Sequence, residues 1–180
     1  MILIPATLQP PAGLGEMLLE LGAGESGFNG TLFASGKMTL EAYLRYCVNL
    51  SNGVELPSGY VPQTTYWVSM NSELVGIVRM RHELTPMLRK QGGHIGYYIR
   101  PRARGKGYAA QALRLTLAEL TKLNVAKALV TVYADNIPSN RTAQSCGGRL
   151  EQQRPFNDRL INYYWFDTKI IEDRKSLGRS

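Results

Sequence analysis

Leu14, Met17, Leu18 and Leu21 fall three and four residues apart, which predicts a helix over 12–21 that Gly22 ends. Thr39 precedes a second such stripe, Leu40, Tyr43, Leu44, Cys47 and Val48, as an N-cap residue does. The Pro-rich residues 1–11 read as irregular chain, the Gly- and Ser-rich residues 22–37 as a loop, and 51–63 as a connection. Beyond residue 63 the apolar period changes to two. Strands are predicted at 64–70 and 73–82, joined by an Asn71-Ser72 turn, and at 93–100, where Pro101 stops the run. Residues 83–92 form the wide loop between the last two. From 105 the helical period returns, with Ala109, Ala112, Leu113, Thr116, Leu117 and Leu120 on one face to about residue 122. A buried-type strand follows at 127–134, then a short helix to about 145 with Pro138 in its first turn. Strands at 148–154 and 160–167 close the pattern, and the polar residues 172–180 are expected to fray. The order ααβββαβαββ, without internal repeat, predicts a mixed α/β domain.

The 180 residues fit one domain spanning 1–180. A chain of this size buries roughly 70% of its unfolded surface and needs neither disulfide nor metal to fold. Cys47 and Cys146 make no disulfide framework and no zinc spacing, so a reduced, cytoplasmic setting is expected. No apolar run approaches the roughly 18 residues of a membrane span, and the first residues lack the basic start of a signal peptide. The sequons at Asn29, Asn49 and Asn140 then read as chance matches.

Charge changes the picture more than composition does. The net charge is +7, from 21 Lys and Arg against 14 Asp and Glu. Between Glu83 and Glu119 there is no acid, but there are Arg89, Lys90, Arg100, Arg102, Arg104, Lys106 and Arg114, which hold the whole excess. A local positive field implies an anionic partner. Its centre is Arg102-Ala103-Arg104-Gly105-Lys106-Gly107, between a predicted strand and a predicted helix. Glycines there let the backbone approach a ligand, and successive N–H groups at a helix start form an anion nest suited to a pyrophosphate. Other motifs carry less. Residues 22–27 fit G-x-G-x-x-G but follow a helix rather than a strand, so dinucleotide binding is not expected there. Gly105-Lys106 lacks the rest of a phosphate-binding Walker loop, no G-x-S-x-G is present, and Cys146 has no His near it in sequence.

R-x-x-G-x-G after a strand and opening a helix resembles motif A of the GNAT superfamily of N-acetyltransferases. Asn136-Ile137-Pro138-Ser139 resembles that family's N-x-x-[AS] segment, Gly147 falls where its members place a Gly, and the element order agrees over about 12–167. The run 92–101 is similar to a bacterial GNAT subgroup. The resemblance implies a central mixed, largely antiparallel sheet flanked by helices, in which two parallel central strands, 93–100 and 127–134, splay apart to admit acetyl-CoA. It implies that main-chain groups at Ile99 pair with the pantetheine arm. Main-chain N–H groups from Arg102 through Arg104, Gly105, Lys106 and Gly107 to Tyr108 hold the pyrophosphate, and Asn136 and Ser139 contact the pantetheine or adenosine side. Arg100, Arg102, Arg104 and Lys106 bracket the glycine turn, a concentration that suits the phosphates of coenzyme A.

The reaction implied is direct acetyl transfer to an amine, which needs both partners positioned, an ammonium proton removed and the carbonyl polarised. The Glu that many members carry near the start of the strand before motif A is missing. His94 lies there instead, about 20 Å of extended chain before Arg100, with an ordinary pKa suited to neutral pH. It is the candidate base, with His82, Glu83 or a water relay as alternatives; a regular hairpin would set His82 opposite His94. The Tyr that many members place after N-x-x-[AS] aligns with Ala143, leaving Tyr133 as the candidate acid, with Tyr98 as alternative. The expected acceptor is a primary amine of a small molecule, its pocket shaped by the N-terminal helices and the loops at 22–37 and 51–63. A protein N-terminus or lysine as acceptor, a degenerate acetyl-CoA-binding domain and a nucleic-acid-binding module are the rivals. No metal, nucleic acid or membrane is expected as partner, and the aromatic strand at 160–167 offers a surface for a homodimer.

Overall fold

The computed structural model describes residues 1–169. The expected frayed tail at 172–180 lies outside them. In chain order the elements are β1 (Ile2–Pro5), α1 (Leu14–Leu21), α2 (Leu40–Asn52), β2 (Gln63–Met70), β3 (Glu73–Arg81), α3 (Pro86–Lys90), β4 (Ile95–Ile99), α4 (Tyr108–Lys122), β5 (Lys127–Tyr133), α5 (Ile137–Ser145), β6 (Arg149–Phe156) and β7 (Arg159–Asp167). A 3₁₀ turn over Pro101–Ala103 lies between β4 and α4.

Two elements depart from the sequence pattern. The start of the chain is not irregular: β1 pairs antiparallel with β2 at the sheet edge, where the missing N–H of Pro5 is tolerated. The 83–92 loop contains α3, whose Thr85 side chain accepts from the Leu88 N–H at 3.2 Å while Pro86 opens the helix. Thr-Pro was the signal for it. Thr39 caps α2 as expected, accepting from Ala42 N–H at 3.2 Å. Asn71 and Ser72, at φ 50° and 65°, make the tight turn between β2 and β3.

The strands form two antiparallel sheets, β1-β2-β3-β4 and β5-β7-β6. Helices cover both faces. On one, Ala112, Leu113, Thr116, Leu117 and Leu120 of α4 are fully enclosed and pack with Val78, Met80, Val130 and Tyr164. Each buried Leu contributes roughly 1.5–3 kcal/mol. On the other face, Leu14, Met17 and Leu18 of α1 and Tyr43 and Leu44 of α2 close over Trp67 and Ile77.

No ladder joins β4 to β5. They are tied where they begin. His94 N–H donates to Leu129 O at 2.7 Å, Leu129 N–H donates back to the His94 ring at Nδ1 at 2.9 Å, and Gly92 N–H donates to Thr131 Oγ1 at 2.8 Å. The approach is close enough that a Cβ on Gly93 would stand 2.4 Å from Leu129 O, and Gly93 has φ 62°. Beyond this seam the strands part, as the resemblance implies, and a cleft opens between them.

Candidate active site

The cleft has a volume of about 980 Å³. One wall is β4. Arg81 N–H donates to His94 O and Arg100 N–H to Val75 O, so by alternation Gly96 and Tyr98 turn their main-chain groups to β3. Ile95, Tyr97 and Ile99 turn theirs to the open side. Arg104 Nε takes the Ile99 carbonyl at 3.0 Å, leaving the rest of this edge available to an extended ligand.

At the far end of β4 the chain makes its 3₁₀ turn and enters α4 with Gly107 as N-cap, at φ 74° and with no side chain capping the helix. The first N–H groups of α4 therefore lack the partners a cap supplies. Gly105, at φ 76°, and Gly107 both face open space, with no atom within 4 Å of where a Cβ would sit. Side-chain-free backbone, unpaired N–H groups and a helix dipole fit a pyrophosphate. Gly105, Gly107, Tyr108 and Ile99 all line the cleft.

The opposite wall is β5 with the start of α5. Asn136 Oδ1 accepts from Ser139 N–H at 3.2 Å and caps α5; both residues line the cleft. Sequence reasoning missed Asn140. It is buried, donates through Nδ2 to Tyr133 O and Asn136 O, and accepts at Oδ1 from Asn162 and Tyr164, so it fixes the bend between β5 and α5. Ala143 is fully enclosed in the core, which explains why no Tyr stands there.

A loop roofs the cleft. Glu25 accepts from Tyr98 OH at 3.0 Å and pairs with Arg104 at 2.8 Å. Phe28 stacks on Tyr98 with ring centres 4.5 Å apart, and Arg79 lies over Phe28 while donating to Gly30 O. On the other bank, Asn136 Nδ2 donates to Ser26 O at 3.4 Å, and Gly27 lies against the Tyr133 ring. Tyr133 itself lines the cleft. Its oxygen accepts from Gln91 Nε2 at 2.7 Å, and Arg159 lies 3.6 Å over its ring.

Several expected residues are elsewhere. Arg100 is buried but turned to α1, where it pairs with Glu20 and donates to Leu74 O at 3.0 Å. Arg102 pairs with Glu73 at 3.1 Å and does not line the cleft, and Lys106 is exposed outside the lining. With Arg104 on Glu25, three of the four cations bracketing the glycine turn already face carboxylates contributed by distant parts of the chain. The nest is therefore built of backbone more than of side-chain charge.

His94 is 5% exposed and absent from the cleft lining. Burial first, then Arg89 and Arg81, pull its imidazole down to about 4. His82 is not opposite it: Arg81 occupies that place, and His82 Nε2 instead meets Thr64 Oγ1 at 2.8 Å. The ring's Nδ1 already accepts from Leu129 N–H, so His94 braces the two strands and stands outside the cleft lining.

A cleft between parting strands, beside an uncapped helix start led by glycines, is a site for an extended ligand that carries phosphates. The chain belongs to the GNAT acetyltransferases: the family model described as "Acetyltransferase (GNAT) domain" matches residues 38–149. Acetyl-CoA is thus its acetyl donor. Among curated proteins none matches in sequence. Solved structures agree in fold. RimL, a ribosomal L7/L12 alpha-N-protein acetyltransferase in complex with coenzyme A, superposes with a TM-score of 0.65 at 17% identity, covering 92% of each chain. A mutant form of the spermidine N-acetyltransferase SpeG from Vibrio cholerae gives 0.64 at 16% identity over 97% of each chain. An acetyl transferase from Salmonella typhimurium that modifies the N-terminal serine of the 50S subunit protein L7/L12 gives 0.64 at 16% identity, over 92% of this chain and 93% of that one.

Proposed function

We propose that this acetyltransferase modifies a primary amine of a small molecule. The roof carries the reading. The 24–30 segment crosses from Tyr98 and Arg79 on one bank to Tyr133 and Asn136 on the other, so the cleft is bridged rather than open along its whole length. The cleft's roughly 980 Å³ must also take the pantetheine arm, which leaves room for a compact acceptor. RimL acts on a protein and SpeG on a small-molecule amine; a bridged cleft favours the second kind.

Bound acetyl-CoA supplies a thioester carbonyl for the amine to attack. In this reading the N–H groups of Gly105, Gly107 and Tyr108 hold its phosphates, and the free edge of Ile95, Tyr97 and Ile99 aligns its arm. Asn136 and Ser139 face it from α5. Tyr133 serves as acid: Gln91 donates into the phenolic oxygen, so the phenol proton stays free to pass to the departing sulfur. The ammonium proton leaves to water through the cleft mouth, with no imidazole base.

Thiol release from acetyl-CoA over a panel of small amines, polyamines and peptides tests the reading. Turnover of small amines with none of peptides is expected; turnover confined to peptide N-termini or lysines overturns it.

A further inference from the structure

We propose that the acceptor end of the cleft selects an amine that also bears a carboxylate, held by the Arg79 and Arg81 guanidiniums. The proposal rests on the small-amine reading above and names its substrate class.

Along β3, Val78 and Met80 face the α4 core while Ile77 faces α1 and α2. Alternation sends Arg79 and Arg81 to the Ile77 side, the side of the roof. Both line the cleft and both are half-buried. Each is anchored by part of its fork only. Arg79 donates to Gly30 O and lies 4.8 Å over Phe28; Arg81 donates through Nη1 to Gly92 O at 3.2 Å and Gly93 O at 3.1 Å. A guanidinium has five donors. The remaining N–H groups are not sealed in protein: among the described residues, only Trp67 Nε1, Arg100 Nε and Trp165 Nε1 are enclosed without a partner. Both residues line the cleft, so these groups can turn to an anion that enters it.

Among the described residues neither arginine forms an ion pair, whereas the two carboxylates lining the cleft are both taken, Glu25 by Arg104 at 2.8 Å and Asp135 by Arg159 at 2.5 Å. Two cations side by side on one strand face, without a counter-charge, are unfavourable in the apo protein. Burial and the neighbouring Arg79 pull Arg81 down to about 10, which still leaves it charged at neutral pH. An incoming anion relieves that repulsion, and the planar pair of oxygens of a carboxylate matches the fork. There is room for it. Gly96 pairs directly with Arg79 across the ladder, and no atom lies within 4 Å of where its Cβ would be. The same two charges repel a polyamine.

The test compares kcat/KM, by thiol release, for α-amino acids, their carboxamides and the corresponding decarboxylated amines. At least a tenfold preference for the acid over its amide is expected, reduced toward one in Arg79→Gln and in Arg81→Gln through a higher KM for the acid. Coenzyme A should raise Tm in both variants as in the wild type. If loosened loops unfold Arg81→Gln, Arg81→Lys keeps the cation but not the fork; it should raise KM for the acid several-fold and shrink the preference for acid over amide. A wild type that acetylates amides or polyamines as well as acids, or variants that keep the full preference, overturn the proposal. Release confined to peptides, or absent with every amine while coenzyme A still binds, shows instead that the small-amine reading has failed, and the carboxylate site with it.

Discussion

His94 and Leu129 exchange two hydrogen bonds across the seam between the sheets, one from backbone to backbone and one from Leu129 N–H to the imidazole Nδ1. The ring takes an N–H that a neighbouring strand's carbonyl would otherwise have to accept. The strands can then part without leaving that donor buried and unpaired. His94→Asn, which offers an oxygen near the same place, should keep most of the stability. His94→Leu should lose about 1–3 kcal/mol in urea unfolding, the typical penalty of a buried orphan donor.

The same histidine sets an acid limit on stability. Its pKa falls from an ordinary 6.5 to about 4 on folding, so the unfolded chain binds the proton more readily. Its contribution is fully present above about pH 6.5 and is lost as pH falls toward 4. The whole shift corresponds to as much as about 3 kcal/mol. Unfolding measured from pH 7 to 4 should show this loss in the wild type and a shallower one in His94→Asn. The rise of kcat/KM through neutral pH should survive that substitution; its disappearance would return His94 to the role of base.

Gly107 permits the uncapped start of α4. Gly107→Glu places a side chain at φ 74° and a negative charge at the anion nest. The strain is about 1–2 kcal/mol, a drop of several degrees in Tm. The rise in Tm that coenzyme A gives the wild type should vanish. An undiminished rise would move the phosphates away from this turn.

Arg100 and Glu20 separate fold from cofactor binding. Arg100 is buried and paired with Glu20, with Glu73 at 3.8 Å. Glu20→Ala strands much of that charge and should destabilise the protein by about 2–3 kcal/mol, below the range for a fully buried pair because Glu73 stays nearby. Arg100→Met should leave KM for acetyl-CoA within about twofold. A tenfold increase would put Arg100 back among the phosphate ligands.

Tyr133 is tested by Tyr133→Phe, which removes the proton and keeps the ring under Arg159. A fall in kcat of about 100-fold, with KM for acetyl-CoA unchanged, is the expected result. An unchanged kcat would mean that the thiolate leaves unaided.

Local physics was readable along the chain. Periodicity located α1, α2, α4 and the strands from β2 to β7, because which face a residue presents depends on its near neighbours. Glycine spacing located the nest, because a positive φ at Gly105 and Gly107 is a property of those residues themselves. Acetyl-CoA came from the resemblance to the GNAT superfamily that this spacing, Asn136 and Ser139 carry.

Which charges are free was decided only in three dimensions. Arg100, Arg102 and Arg104 look like one phosphate-binding cluster in sequence, yet their partners Glu20, Glu73 and Glu25 lie 80, 29 and 79 positions earlier in the chain. Arg79 and Arg81 look like ordinary strand residues, yet both line the cleft and neither forms an ion pair among the described residues. His94 has the sequence position of a base, and only the fold shows that its ring accepts from Leu129 and is buried away from the cleft lining. The net charge of +7 points to an anion. Only packing shows that Arg100, Arg102 and Arg104 already face carboxylates while Arg79 and Arg81 form no ion pair among the described residues, because a charge is neutralised by whatever lies beside it in space, however far away it stands in the chain.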